Sequence, residues 1–324
     1  MAAPEAITPK AMQRAPRLRV RGRARLSRQA WRENLEGWLF TAPFTLGFLC
    51  FTLGPFLASA VLALTDWSIV SSARFVGLAN FREAFFGDPL VWHALRVTTV
   101  YAVVAVPLQI AFGFGLAMLL NTNVRGLEYY RTIYYLPAVL SGVAVALMWK
   151  WIFSGDWGIL NLLLSYVGIE GPYWLNEPGW ALPALIMVSL WHVGGAMVIY
   201  LAGLQGIPTD LYEAAAVDGA GFWPKLRHIT IPMVTPVLFF QLVIGLIASL
   251  QTFTQALIMT NGGPENATLF YMLYLYRRAF VDFRMGFASA MAWILFVYIL
   301  ALTILVFRSG RTWVYYEGEL KGRP

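Results

Sequence analysis

Six long stretches of this sequence contain no Asp, Glu, Lys or Arg, and no other feature restricts the fold as much. They are between 18 and 37 residues long and cover residues 37–65, 97–124, 132–149, 178–209, 228–264 and 285–307. A segment that crosses about 30 Å of hydrocarbon finds no water to satisfy its backbone, so it must be helical and needs about 20 mostly apolar residues. The sequence therefore predicts an all-α integral membrane protein with six transmembrane helices.

The composition is that of a membrane protein rather than a soluble one. Hydrophobic residues make up 59% of the 324 residues and charged residues 13%, whereas about 25% are charged in ordinary soluble domains. Two further apolar stretches, 157–169 and 266–276, are too short to span and are predicted to be interfacial or re-entrant. The first long stretch is too long for a signal peptide, so we expect it to remain as the first helix.

Most of the net charge of +7 lies in the first 36 residues, which contain nine Lys or Arg and three Glu. The rest of the chain has no basic face that could follow a phosphate backbone, so we expect no nucleic-acid partner. With six spans, both termini and the loops after the second and fourth spans share one side, which holds 17 of the 24 basic residues. The positive-inside rule then places both termini in the cytoplasm, with the basic tail against membrane lipid headgroups.

These boundaries divide the chain into three parts: a basic cytoplasmic tail (1–36), a six-span domain (37–308) and a cytoplasmic C-terminal tail (309–324). Cys50 is the single cysteine, so the chain can form no internal disulfide and offers no cysteine pair to a metal. We expect no metal site, no bound cofactor and no catalytic residue in this chain.

The loop between the fourth and fifth spans, residues 207–232, has the signals of a folded helical element. Thr209 or Asp210 can cap a helix in which Glu213 forms a capping-box-like pair with Asp210. Good helix formers follow over residues 211–217. Taken alone, these signals are equally compatible with an ordinary structured loop.

Glycines predict where this helix ends. Gly219 and Gly221 can adopt a left-handed turn with little strain, so a second short amphipathic helix over residues 222–229 can fold back at an angle. Pro232 suits the first turn of the fifth span. The sequence thus predicts a compact helical knuckle, with small alanines on one side that allow another protein to approach closely.

The same loop contains Glu213-Ala214-Ala215, three residues, Gly219, nine residues, Ile229, one residue and Ile231-Pro232. This pattern resembles the coupling loop of bacterial ABC importer permeases, usually written E-A-A, x3, G, x9, I-x-L-P, with Ile231 in place of the leucine. In that family the loop inserts into a cleft of a cytoplasmic ATPase subunit, which the glutamate contacts. The resemblance therefore implies an ATPase-coupling role for Glu213, Ala214, Ala215, Asp218, Gly219, Ile229 and Pro232.

Other segments resemble the carbohydrate branch of these permeases, the maltose, lactose and glycerol-3-phosphate type. They include residues 201–208 and Thr260-Asn-Gly-Gly-Pro264, and the resemblance extends in order over residues 36–310. It implies a permease subunit of a sugar or oligosaccharide importer in a bacterial cytoplasmic membrane, forming half of the translocation path. The implied partners are a second homologous permease subunit, two ABC ATPase subunits that bind ATP and Mg²⁺, and an extracytoplasmic solute-binding protein.

The energy source is expected to be another protein. A P-loop requires Gly-Lys before Ser or Thr, and none of the four lysines follows a glycine. A gradient-driven carrier usually holds charged side chains within the bilayer, and the six stretches contain none. Two alternatives remain: an ABC permease for a polyol, glycerol-phosphate or other polar solute, and a gradient-driven secondary carrier.

Polar and aromatic side chains in the fourth and fifth spans are candidates for the solute path. Ser249 and Thr252, and likewise Gln251 and Gln255, are about one helical turn apart and predict a polar stripe on one helix face. Such side chains also hold membrane helices together, so the residues alone leave path and packing equally open. The resemblance to the maltose-type permease, aligned by position, implies Ser189, His192, Gly245, Ser249 and Thr252. Together with Trp191, Gln251 and Gln255 from the polar and aromatic pattern, these residues are the path candidates.

Overall fold

The computed structural model describes residues 28–68, 72–122 and 125–315. Over these residues the chain is mostly helical, and its strands are limited to one two-residue pair. It divides into two compact units, Met1–Leu57 and Ala58–Pro324. Most of the predicted basic tail, residues 1–27, lies outside the described part of the chain.

The described part of the first unit is one apolar helical stretch. It consists of α1 (Arg28–Phe48), a π-helical turn (Leu49–Leu53) and the first residues of α2 (Gly54–Leu62). The turn ends two residues before Pro55, which has no N–H to donate and whose ring crowds the carbonyl four positions earlier. A wider turn accommodates the proline without ending the helix, and Trp31–Leu62 is long and apolar enough to cross a membrane.

The second unit contains the other five candidate spans. Three are long helices: α4 (Pro89–Leu120), the continuous helix Phe222–Leu250 and α14 (Met285–Trp313). Two are bent helix pairs: α5 (Leu127–Val139) with α6 (Gly142–Ile152), and α8 (Pro178–Trp191) with α9 (Gly194–Gln205). With each bent pair taken as one span, the described residues contain six, which confirms the predicted all-α membrane architecture.

Shorter elements connect the spans. Strands β1 (Thr65–Asp66) and β2 (Arg74–Phe75) pair antiparallel, with Thr65 opposite Phe75. The short helices are α3 (Ala79–Arg82), α7 (Ile159–Tyr166), α10 (Thr209–Val217), α11 (Phe222–Lys225) and α13 (Tyr271–Tyr276). Further π-turns cover Glu83–Gly87, Leu226–Thr230, Ala256–Thr260 and Arg277–Val281, and the second of these joins α11 to α12 (Ile231–Leu250). Helices α7 and α13 occupy the two short apolar stretches, and at eight and six residues neither can span.

Two of the spans are not single straight helices. The third bends by 101° between α5 and α6, where Leu140 and Ser141 are extended. The fourth bends by 49° at His192 and Val193, directly before the Gly194-Gly195 pair. A charge-free stretch indicates how long a span is but not where its helix breaks, so neither bend was predicted from the sequence.

The ends of the last two spans also differ from the charge-free stretches. The fifth stretch runs to residue 264, but its helix ends at Leu250. Helix α14 continues to Trp313, beyond the predicted domain boundary at residue 308. Arg308 and Arg311 do not stop it, because cations near a helix C-terminus interact favourably with the helix dipole. Of the predicted C-terminal tail, residues 316–324 lie outside the described part of the chain.

Helix α4 is the central element of the second unit. It makes its most extensive contacts with α9, α12 and α8, and Ala94, Ala105 and Ala117 on it are fully buried. Small residues let membrane helices approach closely, since their association depends on van der Waals packing rather than on exclusion of water. One apolar cluster surrounds the first half of α4 together with α8 and α13, and a second surrounds residues 114–120 together with α9 and α12.

A polar cluster fixes the N-terminal end of α4. The buried Asp88 carboxylate accepts hydrogen bonds from the Leu90 N–H (3.1 Å), the Tyr274 hydroxyl (2.5 Å) and the Arg278 guanidinium (2.8 Å). Burial, and then the bond to Asp88, raises the pKa of Tyr274 to about 12. Burial alone would lower the pKa of Arg278, but its bonds to Tyr274 and Asp88 raise it. Both donors are therefore protonated at neutral pH and hold α13 and the following turn against α4.

Glycine is required where α9 begins. A Cβ on Gly194 would overlap the backbone carbonyl of Tyr134, because α5 and α9 approach to backbone contact there. A Cβ on Gly195 would lie 3.9 Å from the Cβ of Ala138, an ordinary van der Waals distance. The two adjacent glycines are thus chemically identical but packed very differently.

We predict that Gly194→Ala lowers the thermal stability of the purified protein and that Gly195→Ala does not. Overpacking of this kind costs about 1–3 kcal/mol, whereas alanine favours an unobstructed helical position by about 1 kcal/mol over glycine. Thermal unfolding followed by tryptophan fluorescence compares the two. Equal unfolding temperatures would contradict the close approach of α5 and α9.

Candidate functional site

The loop after α9 folds as a compact knuckle, a name used here for residues 209–225, which include α10 and α11. Helix α10 ends in a Schellman motif, in which the Ala220 N–H donates to the Ala215 carbonyl (2.8 Å) and the Gly219 N–H to the Ala216 carbonyl (3.0 Å). Gly219 has a φ of +77°, a left-handed conformation that glycine adopts with little strain. This turn redirects the chain from α10 into α11.

A side-chain hydrogen bond and apolar packing hold the knuckle against α4, α9 and α12. The Tyr212 hydroxyl lies 2.9 Å from the Thr230 hydroxyl in the π-turn before α12. Tyr212, Leu226 and Ile229 also pack against the apolar cluster formed by α4, α9 and α12. A displacement of the knuckle is therefore passed directly to the helix Phe222–Leu250.

The residues predicted to couple to an ATPase are largely accessible. Four of them are exposed, Glu213, Ala214, Asp218 and Gly219, and three are half-buried, Ala215, Ile229 and Pro232. The Glu213 carboxylate has no hydrogen bond or ion pair within the described residues. The knuckle also exposes three apolar side chains that the motif does not include, Val217 (89% exposed), Phe222 and Trp223. An exposed acid beside exposed apolar groups is a surface suited to a protein partner.

Three local predictions about this loop are wrong. Helix α10 begins at Thr209 after Pro208 and has no side-chain cap, so Asp210 and Glu213 form no capping box. Gly221 has a φ of −77° and needs no left-handed conformation. The second short helix is not separate from the fifth span but begins the continuous helix Phe222–Leu250, whereas Pro232 lies in the first turn of α12, as predicted. Cap and proline signals mark where a helix can begin, and packing against α4 and α9 decides where it does.

Four of the spans line an open cavity of about 410 Å³, called the central cavity below. Its walls come from α4, α8, α9, α12 and the segment that follows α12, and α6 reaches it at Gly142. Apolar side chains and glycines form much of the wall, and no charged side chain lines it. The polar lining consists of Tyr101, Gln109, Ser189, His192, Tyr200, Gln241, Ser249, Thr252, Thr254 and Gln255.

The Tyr101 hydroxyl on α4 lies at one side of the central cavity, near Ser189 on α8 and Thr252 just beyond α12. The Ser189 hydroxyl donates to the Ile186 carbonyl at 2.6 Å. Three elements therefore bring hydroxyl groups together at this side of the cavity.

Other polar groups in the central cavity have no protein partner. The amides of Gln109, Gln241 and Gln255 make no hydrogen bond within the described residues, although Gln241 is buried. The buried Nδ1 atom of His192 is also without a hydrogen bond, since its interaction with the Val188 backbone does not reach hydrogen-bond geometry. Buried polar groups are normally satisfied, so these atoms are available to a bound solute or to water.

Six of the eight predicted path residues line the central cavity: Ser189, His192, Gly245, Ser249, Thr252 and Gln255. Trp191 and Gln251 do not. Trp191 packs edge-on against Trp149 at 5.9 Å, beside the apolar cluster of α8, and Gln251 is exposed at the end of α12. The predicted helical stripe is wrong, because α12 ends at Leu250 and Gln251 and Gln255 do not share a helical turn.

The second span also lines the central cavity, which was not predicted from the sequence. Tyr101 and Gln109 are eight residues apart on α4, a spacing that returns to about the same side of a helix, and both line the central cavity. Polar side chains at this spacing in an apolar stretch were an available signal. It is a weak one, because Thr98 and Thr99 are polar as well and instead bond to Tyr271 and Tyr298.

Comparison with known proteins identifies the family. The model of the family described as "Binding-protein-dependent transport system inner membrane component" matches residues 109–312. This range includes the knuckle, most of the residues that line the central cavity and all seven ATPase-coupling candidates. The match therefore falls on both features that the geometry singles out.

Three similar proteins extend the comparison over nearly the whole chain. The probable ABC transporter permease protein YesP of Bacillus subtilis is 44% identical over 90% of this chain and 96% of its own length. The lactose transport system permease protein LacF of Rhizobium radiobacter is 35% identical over 86% and 95%. A crystal structure of a bacterial alginate ABC transporter, in complex with an alginate pentasaccharide-bound periplasmic protein, superposes with a TM-score of 0.77 at 25% identity, covering 88% of this chain and 98% of that chain.

Proposed function

The chain belongs to the family of binding-protein-dependent transport system inner membrane components, so it is an ABC importer permease, and we propose that it carries a sugar or oligosaccharide. It forms half of the translocation path together with a second homologous permease subunit. Two ABC ATPase subunits bind ATP and Mg²⁺ and supply the energy. This chain binds no cofactor and catalyses no reaction of its own.

The central cavity carries this proposal. Its lining has no charged side chain, and it offers three unpaired glutamine amides, several hydroxyls and a half-buried histidine. Each amide can both donate and accept a hydrogen bond, which matches a solute that carries many hydroxyls. Because an unpaired buried polar group costs about 1–3 kcal/mol, a sugar that pairs these groups gains affinity in the membrane without any ionic contact.

The similar proteins support the same solute class. One is named as a lactose permease, and another is the alginate transporter in complex with a saccharide-bound periplasmic protein. We therefore include an extracytoplasmic solute-binding protein among the partners. The knuckle, with its exposed Glu213 and its apolar rim, is the surface that enters the ATPase subunit. The basic residues near the N-terminus favour a cytoplasmic position for the knuckle and for both termini.

A polyol or another uncharged polar solute is the second candidate, because the same amides and hydroxyls can bind it. Glycerol-phosphate fits less well, since a phosphate is normally held by Arg, Lys or backbone N–H groups, and the central cavity has no cationic side chain. A gradient-driven secondary carrier is not proposed, because the family consists of components of binding-protein-dependent systems.

We predict that the complex co-purifies with its solute-binding protein and that the solute is a sugar. Mass spectrometry of the small molecules released from the binding protein identifies that solute. A polyol would support the second candidate, whereas a peptide, an amino acid or a metal ion would overturn the proposal.

We predict that Ser249→Phe abolishes uptake of this solute into proteoliposomes, because the ring fills the central cavity beside Tyr101 and Thr252. Ile247→Phe is the matched control, since Ile247 is on the same helix, is half-buried and does not line the cavity. Assembly with the ATPase subunits, measured by co-purification, should be unchanged in both variants. Normal uptake by Ser249→Phe would remove the cavity from the path.

We predict that Glu213→Lys abolishes solute-stimulated ATP hydrolysis in the reconstituted complex, because it reverses the charge of the exposed acid on the knuckle. Gly221→Ala serves as the control, since Gly221 is exposed, has a negative φ and has open space around its Cα. Both variants should remain in the membrane. If Glu213→Lys showed normal stimulation, the knuckle would not be the coupling surface.

A further inference from the structure

A short π-turn separates the central cavity from a second cavity in the same unit. Phe253, Thr254 and Gln255 line the central cavity. The next residues of the chain, Leu257 to Asn261, line a cavity of about 730 Å³, called the outer cavity here. The π-turn Ala256–Thr260 therefore stands between the two cavities, and we call it the partition.

Helix α6 runs beside both cavities. Its first residue, Gly142, lines the central cavity, and Lys150 in its last turn lines the outer cavity. Lys150 is the single charged residue among those that line the outer cavity. It also lines an adjoining space of about 200 Å³ together with Asp156 and Tyr173. A solute that passes from the outer cavity to the central cavity along α6 must therefore pass Lys150 and the partition.

Side-chain hydrogen bonds brace the chain that leads into the wall of the outer cavity. The Asn161 amide donates to the carbonyls of Gly155 (3.0 Å) and Pro172 (3.2 Å), and its oxygen accepts from the Trp174 indole at 2.6 Å. These bonds tie the loop after α6 to the segment before α8, which continues into Leu175 and Asn176 of the outer-cavity wall.

The partition is held to that wall by one side-chain bond near its middle. The Lys150 ammonium donates to the Ile258 carbonyl at 3.2 Å, across 108 positions of sequence. No carboxylate within the described residues forms an ion pair with Lys150. The bond comes from a charged donor to a backbone acceptor, a class that is stronger than a bond between neutral groups.

The far end of the partition is fixed by a different set of bonds. The Thr268 hydroxyl lies 2.7 Å from the Thr260 hydroxyl and 2.6 Å from the Gly263 carbonyl, and the Arg277 guanidinium donates to the carbonyl and side chain of Asn261. These contacts join the end of the turn to the segment before α13. In the middle of the turn the Lys150 bond acts together with apolar packing, since Ala256 and Met259 are buried in the cluster around the first half of α4 and Leu257 and Ile258 pack against it.

We propose that the outer cavity is the entrance chamber of the solute path and that Lys150 is the positioning residue that keeps the partition closed. This inference rests on the proposed function for the identity of the solute, a molecule rich in hydroxyl oxygens. An ammonium group has three N–H donors, and Ile258 occupies one. A solute oxygen that reaches Lys150 competes with the Ile258 carbonyl, and loss of that bond frees the partition to open toward the central cavity.

Cysteine accessibility tests the role of Lys150 without solute and without ATP. The background is Cys50→Ser, which leaves no native cysteine, and the reporter is Met259→Cys in the partition. Met259 is 3% exposed and borders the outer cavity, so a membrane-impermeant thiol reagent should label this site slowly in the assembled complex. Addition of Lys150→Met keeps the aliphatic stem but removes the ammonium. Because a bond from a charged donor is lost, labelling should become about tenfold faster or more.

Two controls separate opening of the partition from general loosening. Lys150→Arg retains a charged donor and should keep labelling slow. A second reporter, Asn176→Cys, lies on the exposed wall of the outer cavity and should be labelled at the same rate with Lys150 and with Lys150→Met. An equal rise at both reporters would show loss of structure and would overturn the proposal, as would an unchanged rate at Met259→Cys.

The outcome is independent of the sugar assignment. The complex reconstituted with Lys150→Met should also hydrolyse ATP faster than wild type in the absence of solute, while Lys150→Arg should not. If solute identification yields a sugar but Lys150→Met changes neither labelling nor basal hydrolysis, the proposed function stands and the role of Lys150 in closing the partition is refuted. If the solute is not a sugar but both readouts respond, the role of Lys150 stands and the solute class is refuted.

Discussion

The absence of water inside the bilayer is the constraint on which the rest of this structure depends. Each backbone N–H and C=O in the hydrocarbon must be paired within its own helix unless it lies against protein or a cavity. The breaks in this chain follow that rule, since the fourth span bends at His192 and Val193, and α12 ends just before Thr252. These residues line the central cavity. The places where helical pairing fails are therefore the places where polar groups become available to a solute.

Helix α4 turns these separate breaks into one site. Its N-terminal end is held by Asp88 and Arg278, its middle presents Tyr101 to Ser189 and Thr252, and its C-terminal part packs with the helices that carry the knuckle. A single 32-residue helix thus contacts both ends of the bundle and the cavity between them. One continuous helix therefore contacts both the central cavity and the helices that carry the knuckle.

Several parts of the fold and site were predictable from the sequence, each for an identifiable reason. The absence of charge gave the six spans, and the spacing of Glu213, Gly219 and Pro232 gave the knuckle, because a local turn depends on residues close in the chain. The positions of Ser189, His192 and Ser249 in one cavity were also anticipated. Tyr101 and Lys150 were not singled out, since the residues near them are 88 to 151 positions away in the chain. Gln109 was not singled out because the packing of other helices around α4 decides that it lines the cavity.

The sequence by itself determined that the chain crosses the membrane six times and that one loop carries a helical turn ended by Gly219, since hydrophobic length and a left-handed glycine are local properties. Only the tertiary structure decided where the spans bend, that α12 ends at Leu250, that Trp191 and Gln251 lie outside the cavity, and that Lys150 bonds to Ile258. The physical reason is that pairing in a low-dielectric interior is settled between helices. A side chain's partner there depends on which helices pack together, and no periodicity within one helix contains that information.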